Sequence, residues 1–382
     1  MSVAGAPTAP ASRLSRLLGF LEQDPTNLQL IAEAAAAAVD EGAPAQAADL
    51  LSRYAQLAPL PPALMNLSGL IAIDTQRYAD GAAIFEALLA ANPEDPSLRF
   101  NLAWCRALLQ DYEGAAGLLD ERTAAVAPLA PALQVQMLHH LGRLDDALAA
   151  GQGLAERFPD NQDLMGALAT VAMDAEDLRL ASSYAARAGQ QHDGLAALGM
   201  LSLNEDKVDQ SLAYFGQALE SYPSDARALL GRGLGYMANG DPGAAAPDID
   251  RAAELFGHHL GSWVAAGWAY FVKGDLATSR ARFETALALD DTFAETHGGL
   301  AVLDFMQGDL ESAERRTEVA LRLDRNCFAA ALAKVLLLNA KGDAASAERV
   351  RNIALNVRIG TSGRTIAQAM TTIGLSARRP RG

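Results

Sequence analysis

The residues of this chain that could do chemistry are few and scattered. Two histidine pairs, His139-His140 and His258-His259, are the first candidates for holding a metal ion. Neighbouring residues on a helix project about 100° apart, so neither pair chelates one ion by itself. Neither has a third ligand three or four positions further on. Asp145-Asp146 and Asp290-Asp291 set two carboxylates side by side, as general acid–base work requires. Both pairs fall at helix ends or corners, where capping in solvent is the ordinary role of an aspartate. Cys105 and Cys327 form no CxxC pair and have no histidine in a matching position to make a nucleophile. They read as two reduced, mostly buried thiols of a cytosolic protein. No GxSxG, Walker loop or HExxH occurs. The chain reads as non-enzymatic, with no cofactor and no metal.

Composition narrows the class further. Half of the 382 residues are hydrophobic but only 6% are aromatic, so Ala and Leu supply most of the apolar surface. That balance suits helices packed closely through small side chains. A formal charge of −15 repels phosphate and argues against a nucleic-acid partner. The charge is uneven: from Ser362 to Gly382 the chain carries Arg364, Arg378, Arg379 and Arg381 and no acid. The N-terminal MSVAGAPTAPASRLSRLLGF lacks a charged segment ahead of a long apolar run, which makes a poor signal peptide. Aliphatic runs such as VLLL at 335–338 are too short to span a bilayer. The expectation is a soluble, cytoplasmic protein without membrane insertion.

The elements that must position everything else are repeats. Gly240-Asp241, Gly274-Asp275, Gly308-Asp309 and Gly342-Asp343 recur at steps of 34 residues. Gly42 and Gly142 share the glycine position, and Asp111 and Asp177 the acid position. A glycine can take the left-handed conformation that ends one helix, and the aspartate after it can cap the next. Each pair therefore reads as a helix–turn–helix corner, with Pro242 at the first turn of its second helix. Trp263, Ala266, Gly267 and Tyr270 share one helical face before the corner, and Ser279, Phe283, Ala286 and Leu287 share one after it. Pro59, Pro93, Pro159 and Pro223 close the second helices.

Trp263-x2-Ala266-Gly267-x2-Tyr270, then Ser279-x3-Phe283, resembles the tetratricopeptide repeat pattern W-x2-L-G-x2-Y, A-x3-F. The resemblance covers about residues 28–361. Phased on it, ten repeats begin near Leu28, Pro62, Pro96, Pro128, Gln162, His192, Ala226, Leu260, Ala294 and Phe328. The third is two residues short and the fifth four short, and Thr317 and Arg351 stand where the last two repeats should have Phe. The resemblance implies an all-α fold, a right-handed α-solenoid superhelix of stacked antiparallel helix pairs. Residues 1–11 read as disordered and 12–27 as a capping helix with Leu17, Phe20 and Leu21 on its apolar face. Repeats one to five then fill 28–191 and repeats six to ten 192–361, with AGQQHD at 188–193 a candidate bend or a trimmed loop. Residues 362–382 supply a second capping helix at 364–375 and the basic tail.

The resemblance also implies that the first helix of each repeat lines the concave wall. Val264, Trp268 and Phe271 share a face distinct from that of Trp263 and Tyr270. Their in-phase neighbours are Leu230, Leu234 and Met237 before, then Val302, Phe305 and Met306, then Leu332 and Leu336. The stripe is either inter-repeat core or a groove for a partner protein's apolar helix or extended segment. Equivalent positions in the N-terminal half are less apolar, with Phe100 and Trp104 the exception, and the wall lacks the cations of a carboxylate clamp. The expected function is a scaffold, adaptor or chaperone-like binder, with roles in bacterial secretion or envelope assembly implied by the resemblance. The alternative is a homo-oligomeric scaffold that associates through the same stripe; a regulatory use of the basic tail is a third reading.

Overall fold

A computed structural model describes residues 12–356, and among them the chain forms twenty-two α-helices and no strand. The first ten are α1 (Arg13–Gln23), α2 (Leu28–Asp40), α3 (Pro44–Leu57), α4 (Pro62–Asp74), α5 (Tyr78–Ala91), α6 (Pro96–Leu108), α7 (Tyr112–Ala116), α8 (Glu121–Val126), α9 (Ala130–His140) and α10 (Leu144–Arg157). There follow α11 (Gln162–Asp174), α12 (Leu178–Arg187), α13 (His192–Asn204), α14 (Val208–Ser221), α15 (Ala226–Ala238) and α16 (Pro242–Phe256). The last six are α17 (Leu260–Lys273), α18 (Leu276–Leu289), α19 (Ala294–Met306), α20 (Leu310–Leu323), α21 (Phe328–Ala340) and α22 (Ala344–Leu355). Residues 1–11, the helix expected at 364–375 and the four C-terminal arginines lie outside the described residues.

The described helices gather into two compact units that divide between Leu164 and Met165. Within each, antiparallel pairs stack as an α-solenoid: α2 with α3 and α4 with α5 in the first unit, α15 with α16, α17 with α18 and α19 with α20 in the second. The division falls inside α11 and not at the 188–193 segment. At that segment α13 packs against α12, and a Cβ on Gly194 would meet the Ala188 Cβ at 2.4 Å, so the short connection is closely packed. In α1 the buried residues are Leu14 and Leu21, which lie against α2, while Phe20 is exposed.

The corners follow from local chemistry. Gly240, Gly274, Gly308 and Gly342 all have positive φ, between 75° and 90°. The aspartates after them each accept a backbone N–H at 3.0 Å, from Ala244, Thr278, Ser312 and Ser346 in turn. Those bonds, with the Thr278, Ser312 and Ser346 hydroxyls, hold the carboxyls of Asp275, Asp309 and Asp343 below the usual aspartate range. Four corners place a non-glycine in the same left-handed region: Gln76, Gln110, Glu176 and Asp206.

The third repeat departs from the pattern. Its second helix stops after five residues at Ala116, and α8 starts a new turn at Glu121. Asp120 explains the break: its carboxylate accepts from the Arg122 and Thr123 amides while the Thr123 hydroxyl accepts from the Asp120 amide, a complete capping box. The first helix of the fourth repeat consequently begins at Ala130.

Three buried phenylalanines, Phe85, Phe215 and Phe283, anchor the core from the second helices. Glycine faces each ring. A Cβ on Gly267 would lie 2.8 Å from the Phe283 ring, and one on Gly299, in the next repeat, 2.5 Å from it. Phe283 is thus clasped by backbone from two repeats, which is how a single aromatic holds three helices at close spacing.

Candidate functional site

In the second unit α13 packs on α15, α17 on α19, and α19 on α21, so the first helices of the last three repeats form one wall, and α15 joins α17 through α16. The apolar stripe runs along it, and its members have different fates. Val264 and Val302 are interior, Val302 with only 1% of its surface exposed. Trp268, Phe271, Phe305, Leu230, Leu234, Met237, Leu332 and Leu336 are half-buried, and Met306 is 54% exposed.

Trp268 is the junction. Its ring meets Phe271 and Phe283 edge-on, each at 5.4 Å between centroids. Each such pair is worth about 0.5–1.5 kcal/mol beyond area burial. It also packs against the alanines and Cys327 of the last repeats, and together with Phe271, Leu332 and Leu336 it covers Ala301, Val302 and Ala333. Leu230, Leu234 and Met237 lie on the neighbouring core that contains Trp263 and Ile249. The stripe is therefore narrower than the residue pattern implies: a floor of buried valines under a half-exposed ridge of aromatic, Leu and Met side chains. Val302 is covered because α19 and α21 nearly touch. A Cβ on Gly298 would come 2.6 Å from both the Ala329 Cβ and the Ala330 amide nitrogen.

Polar groups organise the rest of the unit, and they are not evident in the residue spacing. Asp304 occupies the repeat position that holds Tyr270 in the preceding repeat. Its carboxylate, 7% exposed, takes Arg280 at 2.6 Å and Arg316 at 3.0 Å. Asp250 receives Arg282 at 2.7 Å and the Tyr270 hydroxyl at 3.1 Å, which raises the pKa of Arg282, while burial and then Asp250 raise that of Tyr270. Arg232 makes a two-pronged bond to Asp248 at 2.6 and 2.9 Å. Asp250–Arg282 and Arg280–Asp304 join successive repeats, whereas Arg232–Asp248 and Asp304–Arg316 each join the two helices of one repeat.

The residues first considered for chemistry have structural partners. Burial pushes the Cys105 thiol up to about 11 and that of Cys327 to about 12, far from a reactive thiolate. The His140 ring stacks on Tyr112 at 4.6 Å, and His259 caps α17 by accepting the Ser262 amide at 3.2 Å. Asp290 caps its own corner, accepting from Thr292. A second polar cluster lies at the head of α13: His192 Nδ1 is 2.8 Å from Asp225 and 3.5 Å from Asp193. Burial raises the Asp193 carboxyl above its usual range, with Asp225 adding to the effect.

A tetratricopeptide repeat profile matches residues 66–131, 196–259 and 233–292. These segments are tetratricopeptide repeats. Among curated proteins it is similar to Cellulose synthase 2 operon protein C of Komagataeibacter xylinus, with 28% identity over 235 residues. That match takes in 59% of this chain and 17% of the relative, so the chain spans less than a fifth of the relative's length. Among solved structures it is similar to the human IFIT1 dimer with m7Gppp-AAAA, at a TM-score of 0.52 and 14% identity over 89% of this chain and 93% of that one. The IFIT1 dimer with PPP-AAAA gives a TM-score of 0.51 at 15% identity, over 89% and 92%. Those likenesses show the fold.

Tetratricopeptide repeats explain where the stripe sits, since its members fall at the same positions of each first helix. They do not explain Asp304, which replaces the repeat's aromatic with an ion network. The sign of that exchange is an acid at the tyrosine position, with an arginine in the second helix on either side.

Proposed function

We propose that the chain is a non-catalytic scaffold or adaptor that holds an apolar helix or extended segment of a partner protein on the first-helix wall of its second unit. Tetratricopeptide repeat proteins generally mediate protein–protein interactions. The observation that carries the finer reading is the ridge of Trp268, Phe271, Phe305, Met306, Leu332 and Leu336, which keeps aromatic, Leu and Met surface partly exposed along three consecutive repeats. Such side chains bring large contact area at low ordering cost and adapt to a partner's shape. No helix among the described residues is long and apolar enough to cross a membrane. The relative's name places it with a cellulose synthase operon, which supports a partner within a multi-protein biosynthetic or envelope assembly. The m7Gppp-AAAA and PPP-AAAA of the IFIT1 complexes are not carried over, because a net charge of −15 opposes phosphate.

The test is affinity capture from the native cell extract with the wild-type chain and with Met306→Asp and Phe305→Ala variants, with light scattering in parallel. Met306 is exposed, so its substitution leaves the core in place. Loss of the same captured proteins from both variants supports the reading; full recovery with both removes the wall from the account. A concentration-dependent dimer that Met306→Asp abolishes assigns the ridge to self-association instead.

A further inference from the structure

We propose that His192, Asp193 and Asp225 form a binding site for one divalent transition-metal ion of the Zn2+ type, where the heads of α13 and α15 meet. One donor atom from each residue lies within 4.8 Å of the other two. The two sides measured from His192 Nδ1 are 2.8 Å to Asp225 Oδ2 and 3.5 Å to Asp193 Oδ1. An ion bound at about 2.0–2.2 Å to nitrogen and oxygen in tetrahedral geometry spaces its ligands about 3.3–3.5 Å apart. The Asp193 arm already has that spacing, and the Asp225 arm reaches it by opening about half an ångström.

The donors are held ready. Asp225 is the N-cap of α15, and its Oδ1 accepts the Ala228 amide at 2.9 Å, which aims Oδ2 at His192. Its side chain is 5% exposed and that of Asp193 18%. The His192 ring is steadied by Tyr222, 4.8 Å away between centroids. Two largely buried carboxylates converge on one imidazole, and Arg227, a guanidinium whose charge reaches Asp193, is paired with Asp174 through two bonds of 3.0 and 2.6 Å. The recess thus carries excess negative charge together with a nitrogen donor. An imidazole with two carboxylates suits zinc and its first-row neighbours better than magnesium or calcium, which take oxygen alone. The set occurs at one junction: the first-helix position of His192 is Leu28, Pro62, Pro96, Pro128, Gln162, Ala226, Leu260, Ala294 or Phe328 in other repeats. The expectation of no metal rested on adjacent histidine pairs that lack a third ligand, whereas the adjacent His192 and Asp193 are joined by Asp225, which lies 33 residues from His192 in sequence and meets it through repeat stacking.

The test is isothermal titration of the full chain, freed of metal with a chelator, using ZnCl2 and separately MgCl2. The expected result is one Zn2+ per chain, with affinity falling about tenfold or more in both His192→Ala and Asp193→Asn. Absence of saturable Zn2+ binding overturns the proposal, as does binding unchanged in the two variants. Mg2+ bound as tightly as Zn2+ overturns the assignment to a transition metal. Asp193→Asn keeps the His192–Asp225 bond and the α15 cap, so it decides the question if His192→Ala loses helicity by circular dichroism.

Discussion

Gly299→Ala is the sharpest test of how the second unit is built. The added Cβ would sit 2.5 Å from Phe283 Cε1 and 2.6 Å from Cζ. Carbon atoms rest at about 3.5–4.0 Å, so ring and helix must part by about 1 Å. The ring has little room to retreat: a Cβ added at Gly267 would also lie 2.8 Å from it, and Trp268 stands edge-on to it at 5.4 Å between centroids. Overpacking of a tight core costs about 1–3 kcal/mol, while alanine in place of glycine inside a helix returns about 0.8–1.0 kcal/mol. With so short an approach the steric cost lies at the upper end, leaving a net loss of about 2 kcal/mol. Urea denaturation followed by circular dichroism measures it. Because repeat arrays unfold in parts, hydrogen exchange of the α17–α19 amides locates it. Phe283→Leu is destabilising by itself but should cost less in the Gly299→Ala background, since the smaller side chain frees the space the methyl needs. Gly299→Ala stability equal to or above wild type, or strict additivity of the two changes, refutes the clasp.

Three further outcomes follow from the same structure. Asp304→Asn removes the charge shared by Arg280 and Arg316 and should cost about 2 kcal/mol, less than a fully buried pair because the arginines are a quarter exposed; the loss should persist in high salt, unlike that of a surface pair. The folded carboxyls of Asp275, Asp309 and Asp343 lie below their unfolded range, so their contribution is present above about pH 4 and lost as pH falls through the folded values. Replacing all three with Asn, which still caps, should leave neutral stability nearly unchanged and flatten the acid side of a Tm-versus-pH curve. Glu176→Gly relieves a left-handed backbone, φ 60°, and should raise stability by about 1 kcal/mol in a thermal melt.

Much of the fold was legible because its determinants are local. A glycine–aspartate step ends one helix and starts the next whatever surrounds it, so Gly274-Asp275 announces its corner from sequence. Trp263, Tyr270 and Phe283 share faces fixed by helical periodicity, and each lies in or against the core of its own repeat. The 34-residue phase hides the broken helix of the third repeat, although Asp120-x2-Thr123 is a local signal for it.

Periodicity alone assigned Val264, Trp268, Val302 and Phe305 to one stripe, and it could not say which of them water still reaches. That depends on how closely the next repeat approaches, which Gly298 sets against Ala329 and Ala330 some thirty residues away. The same holds for Asp304 between two arginines and for His192 beside Asp225: each partner is unremarkable in its own helix, and its meaning arises when repeats stack. The sequence by itself determined the helix pairs, their corners and the faces they bury, because backbone geometry within 34 residues enforces them. Only the tertiary structure decided which apolar residues stay at the surface and which charges meet, because both are set by distances between repeats that no local rule contains.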